Sequence, residues 1–283
     1  MEINMKYVLV NPLSCNGEGH KNAESYISTQ TDAKTVDITS ISDYKSFFEE
    51  INEADDIVIC GGDGTLNRFV NNTDGIEIKN NIYFYPCGTG NDFYSDVNQE
   101  KEEGPILINK YLENLPTVKI KGDDHKFING VGYGIDGYCC EIGDKLHAEG
   151  KPADYTMIAI KGLLFHYKPT NATVIVDGVE HKFKKVWIAP TMNGRKYGGG
   201  MIPTPAQERI SDDKKLSVML FHGSSKLKTL IIFPSLFKGE HVKKAKNVTI
   251  LTGKNITVKF DGPRPLQIDG ETVLGVEEYT ASV

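Results

Sequence analysis

Residues 61–65 read Gly61-Gly62-Asp63-Gly64-Thr65 and follow the apolar run Asp56-Ile57-Val58-Ile59-Cys60 without a gap. Glycines in such a turn let backbone N–H groups approach a polyanion, and a helix beginning near Leu66 adds partial positive charge. A carboxylate placed there would repel a bare phosphate. Asp63 therefore points to Mg²⁺, or to a reacting hydroxyl, lying between it and the phosphates. A second turn of similar make-up, Pro86-Cys87-Gly88-Thr89-Gly90-Asn91-Asp92, follows the run 81–85, and a third, Asp269-Gly270-Glu271, lies far along the chain. Each has a plainer reading by itself: a helix cap at Asp63, a capped loop at 88–92, a hairpin with a solvated carboxylate at Glu271.

The elements that must position these turns show in the periodicity. Residues 6–10, 34–38, 55–60 and 81–85 read as strands, and 20–29, 42–50 (capped by Ser42) and 104–112 as helices. Residues 1–120 are thus expected to form an α/β nucleotide-binding domain on a Rossmann-type parallel sheet. Its glycine-rich turns all follow carboxyl ends of strands, where open α/β sheets bind ligands. After about Thr117 the texture changes to short alternating segments such as 173–176, 179–183, 215–221 and 255–260, separated by turn pairs such as Asp177-Gly178. Residues 121–283 are expected to form an antiparallel β-sandwich with one inserted helix, 153–165.

The chain has 283 residues, of which 39% are hydrophobic and 25% charged, which describes a globular protein with room for two domains. A net charge of -6 and the lack of any RNA- or DNA-binding module argue against a nucleic-acid partner. Five cysteines (Cys15, Cys60, Cys87, Cys139, Cys140) are odd in number and without metal-ligand spacing, so they read as reduced thiols. No apolar run approaches the ~20 residues that span a bilayer. The N-terminus reads as a short strand, 7–10, rather than a signal peptide. A cytoplasmic location follows as the expectation.

Several motifs in order resemble the diacylglycerol kinase catalytic-domain family, which includes bacterial soluble lipid kinases and sphingosine kinases. Asn11-Pro12-Leu13-Ser14-Cys15-Asn16-Gly17 is similar to the family's opening loop, 61–65 to its signature loop, and Gly88-Thr89-Gly90-Asn91-Asp92-Phe93 to its second nucleotide loop. The segment 129–136, the block from Asn193 through Tyr197-Gly198-Gly199-Gly200 to Pro203, and Asp269-Gly270-Glu271 complete the series. The resemblance implies a first domain like that of NAD kinases and phosphofructokinases, a β-sandwich after it, and an ATP- and Mg²⁺-dependent lipid kinase.

The roles it implies are specific. Asp63 would organise Mg²⁺ at the phosphates, with Asp92 orienting the same network. Asn11, Thr39, Gly61, Gly62, Gly64, Thr65, Asn67, Gly88, Thr89 and Asn91 would bind ATP. Glu271 would accept the proton of the attacking lipid hydroxyl, assistance worth typically ~10²–10⁴-fold. Asp63 and Glu271 would then meet only across a cleft between domains, whose closure assembles the site. A structural Mg²⁺ would sit on Asp213 with backbone oxygens near Ile210 and Lys215. Two residues depart from the family pattern: Cys15 replaces a glycine, and Lys214 stands where glycine follows the metal-site aspartate. Only a short stretch follows Glu271, so the longer tail common in relatives is expected to be reduced.

The acceptor is expected to be a lipid alcohol such as diacylglycerol, with 155–165 the most apolar helical candidate for lining its cleft or for covering the sandwich. Lys226, Lys228, Lys238, Lys243, Lys244 and Lys246 form either a basic face for transient, peripheral membrane contact or a solvated one. The resemblance also implies a homodimer. Two other readings remain open: an NAD kinase-like phosphotransferase, against which the loops at 11–14 and 88–93 and the turn at 269–271 argue, and a nucleotide- or lipid-binding regulator with little turnover.

Overall fold

Unbroken apolar runs belong in parallel strands covered on both faces, and the first part of the chain is built from them. The computed structural model describes residues 4–88, 90–244 and 246–283, the side chains of Cys15 and Asn16 excepted. Two compact units, Met1–Asn114 and Leu115–Val283, divide the chain.

The first unit holds β1 (Lys6–Val10), β2 (Ala33–Asp37), β3 (Asp56–Gly61), β4 (Asn81–Pro86) and a two-residue edge, β5 (Ile106–Leu107), in the order β2-β1-β3-β4-β5. All pair in parallel except β4 with β5. Its helices are α1 (Ser14–Gly17), α2 (Gly19–Ile27), α3 (Tyr44–Glu50), α4 (Asp63–Asn72), α5 (Asp92–Val97) and α6 (Asn109–Leu112). Val8, Val10, Val58 and Cys60 pack with Ala23 and Tyr26 of α2, while Leu9, Ile57 and Ile59 alternate onto the other face. Two expectations need correction. Asp43, not Ser42, caps α3, because its carboxylate accepts the N–H groups of Lys45 and Ser46. Residues 104–112 are β5 and α6 rather than one helix: the Asn109 side chain accepts from Ile82 N–H (2.8 Å) and donates to Asn80 O (2.9 Å), which fastens this stretch along β4.

The second unit is antiparallel: β6 (Thr117–Ile120), β7 (Asp123–Lys126), β8 (Gly130–Tyr133), β9 (Thr170–Val176), β10 (Val179–Ile188), β11 (Thr191–Met192), β12 (Leu216–His222), β13 (Val248–Gly253), β14 (Asn255–Ile268) and β15 (Glu271–Ser282). The order is β7-β6-β15-β14-β8-β11-β12-β10-β9, with β13 on β12. β14 pairs with β9 through its first half and with β8 through its second, so the sandwich closes on itself. Because β6 is bonded to β15, it belongs with the second unit, which begins at Leu115. Inside, the Tyr133 ring stacks on Phe260 with centroids 4.0 Å apart.

One inserted helix was expected and, among the described residues, three α-helices are present: α7 (Ile135–Ala148), α8 (Tyr155–Lys161) and α9 (Lys226–Ile232). They pack Ile135, Ile158 and Ile232 against Trp187, Met219 and Phe221 on the outer face of the sheet. Helix α7 is hidden in the sequence by Gly137 and Gly143. These serve close packing rather than a break: a Cβ at Gly137 would stand 2.1 Å from Pro265 O, and one at Gly143 2.7 Å from the Tyr155 ring. The expected helix 153–165 is α8 followed by a π turn, Gly162–His166. Among the described residues no helix is long and apolar enough to cross a membrane.

Candidate functional site

In the sheet order β2-β1-β3-β4, successive connections leave β1 and β3 toward opposite edges, and ligands of open α/β sheets bind beyond the carboxyl ends at such a point. Asn11 follows β1 there, and 62–65 follow β3. The buried Asn11 side chain donates from Nδ2 to Thr65 Oγ1 (2.9 Å) and accepts from Leu13 N–H (3.0 Å), so it ties the first loop to α4. Thr65 and Asn67 are buried on that helix. Thr39, exposed at the end of β2, gives both its N–H (2.8 Å) and its hydroxyl (2.7 Å) to Asp37 Oδ1.

The two glycine-rich loops touch backbone to backbone. A Cβ at Gly88 would stand 2.5 Å from Gly62 Cα, and one at Gly61 2.6 Å from Thr65 Cβ. Gly64 and Gly90 differ, since an added Cβ at either meets nothing within 4 Å. The close contacts hold the loops together, while the open positions leave space beside the first turns of α4 and α5. Asn91 closes the second loop on itself, accepting from Gly88 N–H (3.1 Å) and donating to Gly88 O (2.7 Å). Thr89 lies outside the described residues.

Asp63 opens α4 and reaches across to α5. Its Oδ2 accepts Asp92 N–H at 2.8 Å and its Oδ1 accepts Phe93 N–H at 3.1 Å, so one carboxylate caps the second helix from the first loop. This positioning role was not visible in the sequence, where Asp63 suggested only a metal, a hydroxyl or a cap of its own helix. Asp92 is buried in the first turn of α5.

In the second unit Glu271 begins β15, exposed and opposite Ile268. Asp269 and Gly270, with φ of 47° and 99°, form the two left-handed positions of a tight hairpin. Asp269 also accepts three backbone N–H groups: Ile128 (2.6 Å), Asn129 (2.8 Å) and Gly130 (2.9 Å). Arg209 donates to Ile128 O and to Asn129 Oδ1, both at 2.6 Å, and Asn193 donates to Ile128 O at 2.9 Å. The hairpin bearing Glu271 is therefore seated on a segment whose polar groups are held from both sides. Sequence reasoning missed Asp269 as an acceptor, because Asp-Gly reads as a turn pair, and it missed Arg209 altogether. Nearby, Asp136 is buried at the start of α7, with Tyr197 donating to Oδ2 (3.1 Å). Burial pushes its carboxyl up to about 6, against hydrogen bonds from the Gly137 amide and Tyr197.

At the expected structural Mg²⁺ site the described side chains make ion pairs. Asp213 pairs with the ammonium groups of Lys215 (2.5 Å) and Lys254 (2.9 Å), which hold its carboxyl down at about 2. The carbonyl of Lys215 accepts from Gln207 Nε2 (2.8 Å), and Ile210 is an exposed side chain. As these side chains stand, a divalent cation would meet two ammonium charges beside that carboxylate. Among the described residues no three His, Cys, Asp or Glu side chains are grouped to hold a metal.

Comparison with known proteins agrees with this layout. Residues 6–119 match the family model for the diacylglycerol kinase catalytic domain, and residues 129–281 that for the YegS C-terminal NAD kinase beta sandwich-like domain. A diacylglycerol kinase of Mycobacterium tuberculosis is 26% identical over 276 residues, which cover 92% of this chain and 87% of that protein. The crystal structure of a diacylglycerol kinase from Bacillus anthracis str. Sterne superposes with a TM-score of 0.61 at 19% identity, over 99% of this chain and 94% of that one. The two share a fold.

Proposed function

The chain belongs to the diacylglycerol kinase catalytic-domain family and is a kinase, and from that premise we propose that it transfers the γ-phosphate of ATP to the hydroxyl of a lipid alcohol such as diacylglycerol. The observation that carries this reading is the backbone contact of Gly62 with Gly88, locked by Asp63, at the carboxyl edge of the parallel sheet. Two helix starts converge on open space there, which is the setting that phosphates take.

In this reading the amides of 61–65 and 88–91 receive the phosphates, with Asn11, Thr39, Thr65, Asn67 and Thr89 around them. Mg²⁺ enters with ATP as part of the substrate and neutralises developing charge. Asp63 and Asp92 orient that end of the nucleotide, and Asp63 does so in part through its hold on α5. Glu271 takes the proton of the attacking hydroxyl. Its exposed carboxylate suits contact with an incoming acceptor, and Asp269 fixes the backbone beneath it. The enzyme works from the cytoplasm in transient contact with the membrane surface. Exposed Leu164, Phe165, Leu227 and Ile231, among exposed lysines, support that contact.

Transfer from radiolabelled ATP to a total lipid extract, with NAD as a competing acceptor, tests the assignment. Label in a phospholipid is expected. Label in NADP, or in neither acceptor, overturns it. Glu271→Gln is expected to lower kcat by ~10²–10⁴-fold with the KM for ATP and the melting temperature unaltered, and a wild-type rate in that variant excludes the general-base role.

A further inference from the structure

Each glycine-rich loop is preceded by a cysteine: Cys60 ends the apolar run before Gly61, and Cys87 stands before Gly88. Parallel register places Cys60 opposite Tyr85. Alternate residues of a strand face the same side, so Cys87 shares a side with Tyr85 and Cys60. Both thiols lie in the cluster formed with Val8, Val10, Val58, Ala23 and Tyr26. Cys87 N–H donates to Gly61 O at 2.8 Å, carrying the β3–β4 ladder up to the loops. Packed in one cluster, the two thiols influence each other: the Cys87 thiol is held below its ordinary value, and its neighbour together with burial pushes the Cys60 thiol up. Nothing in the phosphoryl-transfer reading uses either group.

We propose that Cys60 and Cys87 are a reversible redox pair, joined by a peroxide into a disulfide that displaces the second loop and stops nucleotide use. Cys87 is 5% exposed against 1% for Cys60, so it is the sulfur that a small peroxide reaches first. Its thiolate attacks one oxygen of hydrogen peroxide and becomes a sulfenic acid, and the hydroxide released takes a proton to leave as water. The Cys60 sulfur then displaces the hydroxyl from Cys87. The S–S bond forms, and the Cys60 proton leaves with that hydroxyl as a second water. Two thiols lose two electrons and the peroxide gains them.

A disulfide fixes its Cα atoms about 5.5–6 Å apart with a defined dihedral, a geometry that two packed free thiols need not hold. Closing the bridge therefore moves Cys87 relative to β3. Gly88 has no slack against Gly62, so the second loop must shift with it. A displacement of about 1 Å in a positioning element can cost ~10²-fold in rate.

The loss of transfer rests on the kinase reading, but formation of the bridge does not. The test treats the purified full chain with hydrogen peroxide, blocks free thiols, and maps the linked peptides. ATP-dependent transfer and amide exchange over 86–92 are measured before and after dithiothreitol. A Cys60–Cys87 link, altered exchange, and a transfer rate lowered at least ~10-fold and restored by reduction are expected. Cys60→Ala and Cys87→Ala should keep the basal rate and lose the response, with Cys87→Ser as the second choice should the alanine variant fold poorly. Free Cys60 and Cys87 after treatment, a link to Cys15, Cys139 or Cys140 instead, or a bridge that leaves exchange unchanged would overturn the proposal. If the reduced chain phosphorylates no acceptor, the kinase reading fails, while the peptide map and the exchange data still decide the bridge.

Discussion

At Asp269 one carboxylate accepts three backbone N–H groups and seats the Glu271 hairpin on 128–130. Asparagine there keeps one acceptor and turns an NH₂ donor toward an N–H donor. Hydrogen bonds to a charged group contribute about 1.5–3 kcal/mol each, so Asp269→Asn should destabilise the chain by roughly 2–4 kcal/mol. A fall in melting temperature of roughly 5–15 °C is expected, and an unchanged melt would show that the three contacts contribute little. Asp136 behaves in the opposite sense. Its folded value of about 6 lies above the ordinary aspartate value near 4, so between those two pH values the native chain binds its proton more tightly than the unfolded chain does. Its contribution to stability rises as the pH falls from about 6 to about 4 and is flat outside that window. Asp136→Asn removes the burial penalty on the charge and should gain, relative to wild type, on the order of 2–3 kcal/mol between pH 4 and pH 7. Urea titrations of both proteins across that range check this, and parallel pH profiles would refute it.

At the scale of elements, the two classes of glycine in the loops predict different outcomes. Gly88→Ala forces a Cβ to 2.5 Å from the Gly62 backbone, so the loops must part and both melting temperature and nucleotide affinity should fall. Gly64→Ala adds its methyl to open space inside α4. Alanine is favoured over glycine in a helix by about 0.8–1.0 kcal/mol, so this variant should melt no lower than wild type. If phosphates occupy that space, the KM for ATP should nevertheless rise about 10-fold or more. Unaltered nucleotide kinetics in Gly64→Ala would remove the phosphates from the start of α4. The same contrast explains what the sequence made legible. β1, β3 and β4 were readable because buried parallel strands are continuous apolar runs, and the loops after them because their glycines adjoin those runs. The caps at Asp63 and Asp269 were not, since both act on partners that only the folded chain brings near. Helix α7 was obscured by glycines that serve tertiary contact, and β14 was cut short at Phe260 because its bulged second half, with Pro263 and Pro265, reads as a loop.

For the whole molecule, charge sets a condition on any membrane contact. A chain of net charge -6 is repelled by an anionic bilayer unless a basic surface leads. Phe165, Leu227 and Ile231 are 71%, 70% and 71% exposed, and Lys226 on α9 donates to Leu164 O (2.8 Å), which fastens α9 to the π turn after α8. Leu227 and Ile231 lie one turn apart on one face of α9, between Lys226 and the exposed Lys238, Lys243 and Lys244. Lysines near an anionic surface contribute about 1 kcal/mol each, and that attraction fades within a Debye length of about 8 Å at physiological ionic strength. Vesicles containing anionic lipid should therefore bind the chain and release it as salt is raised, while neutral vesicles bind it weakly. Leu227→Ser with Ile231→Ser should lower binding at every salt concentration, because apolar burial is not screened. Lys226→Ala with Lys228→Ala should instead flatten the salt dependence. Transfer to a short-chain, water-soluble acceptor should be unchanged in both double variants, since neither pair belongs to the loops or to the Glu271 hairpin. Equal binding of wild type and both variants to anionic vesicles would place the membrane contact elsewhere on the chain.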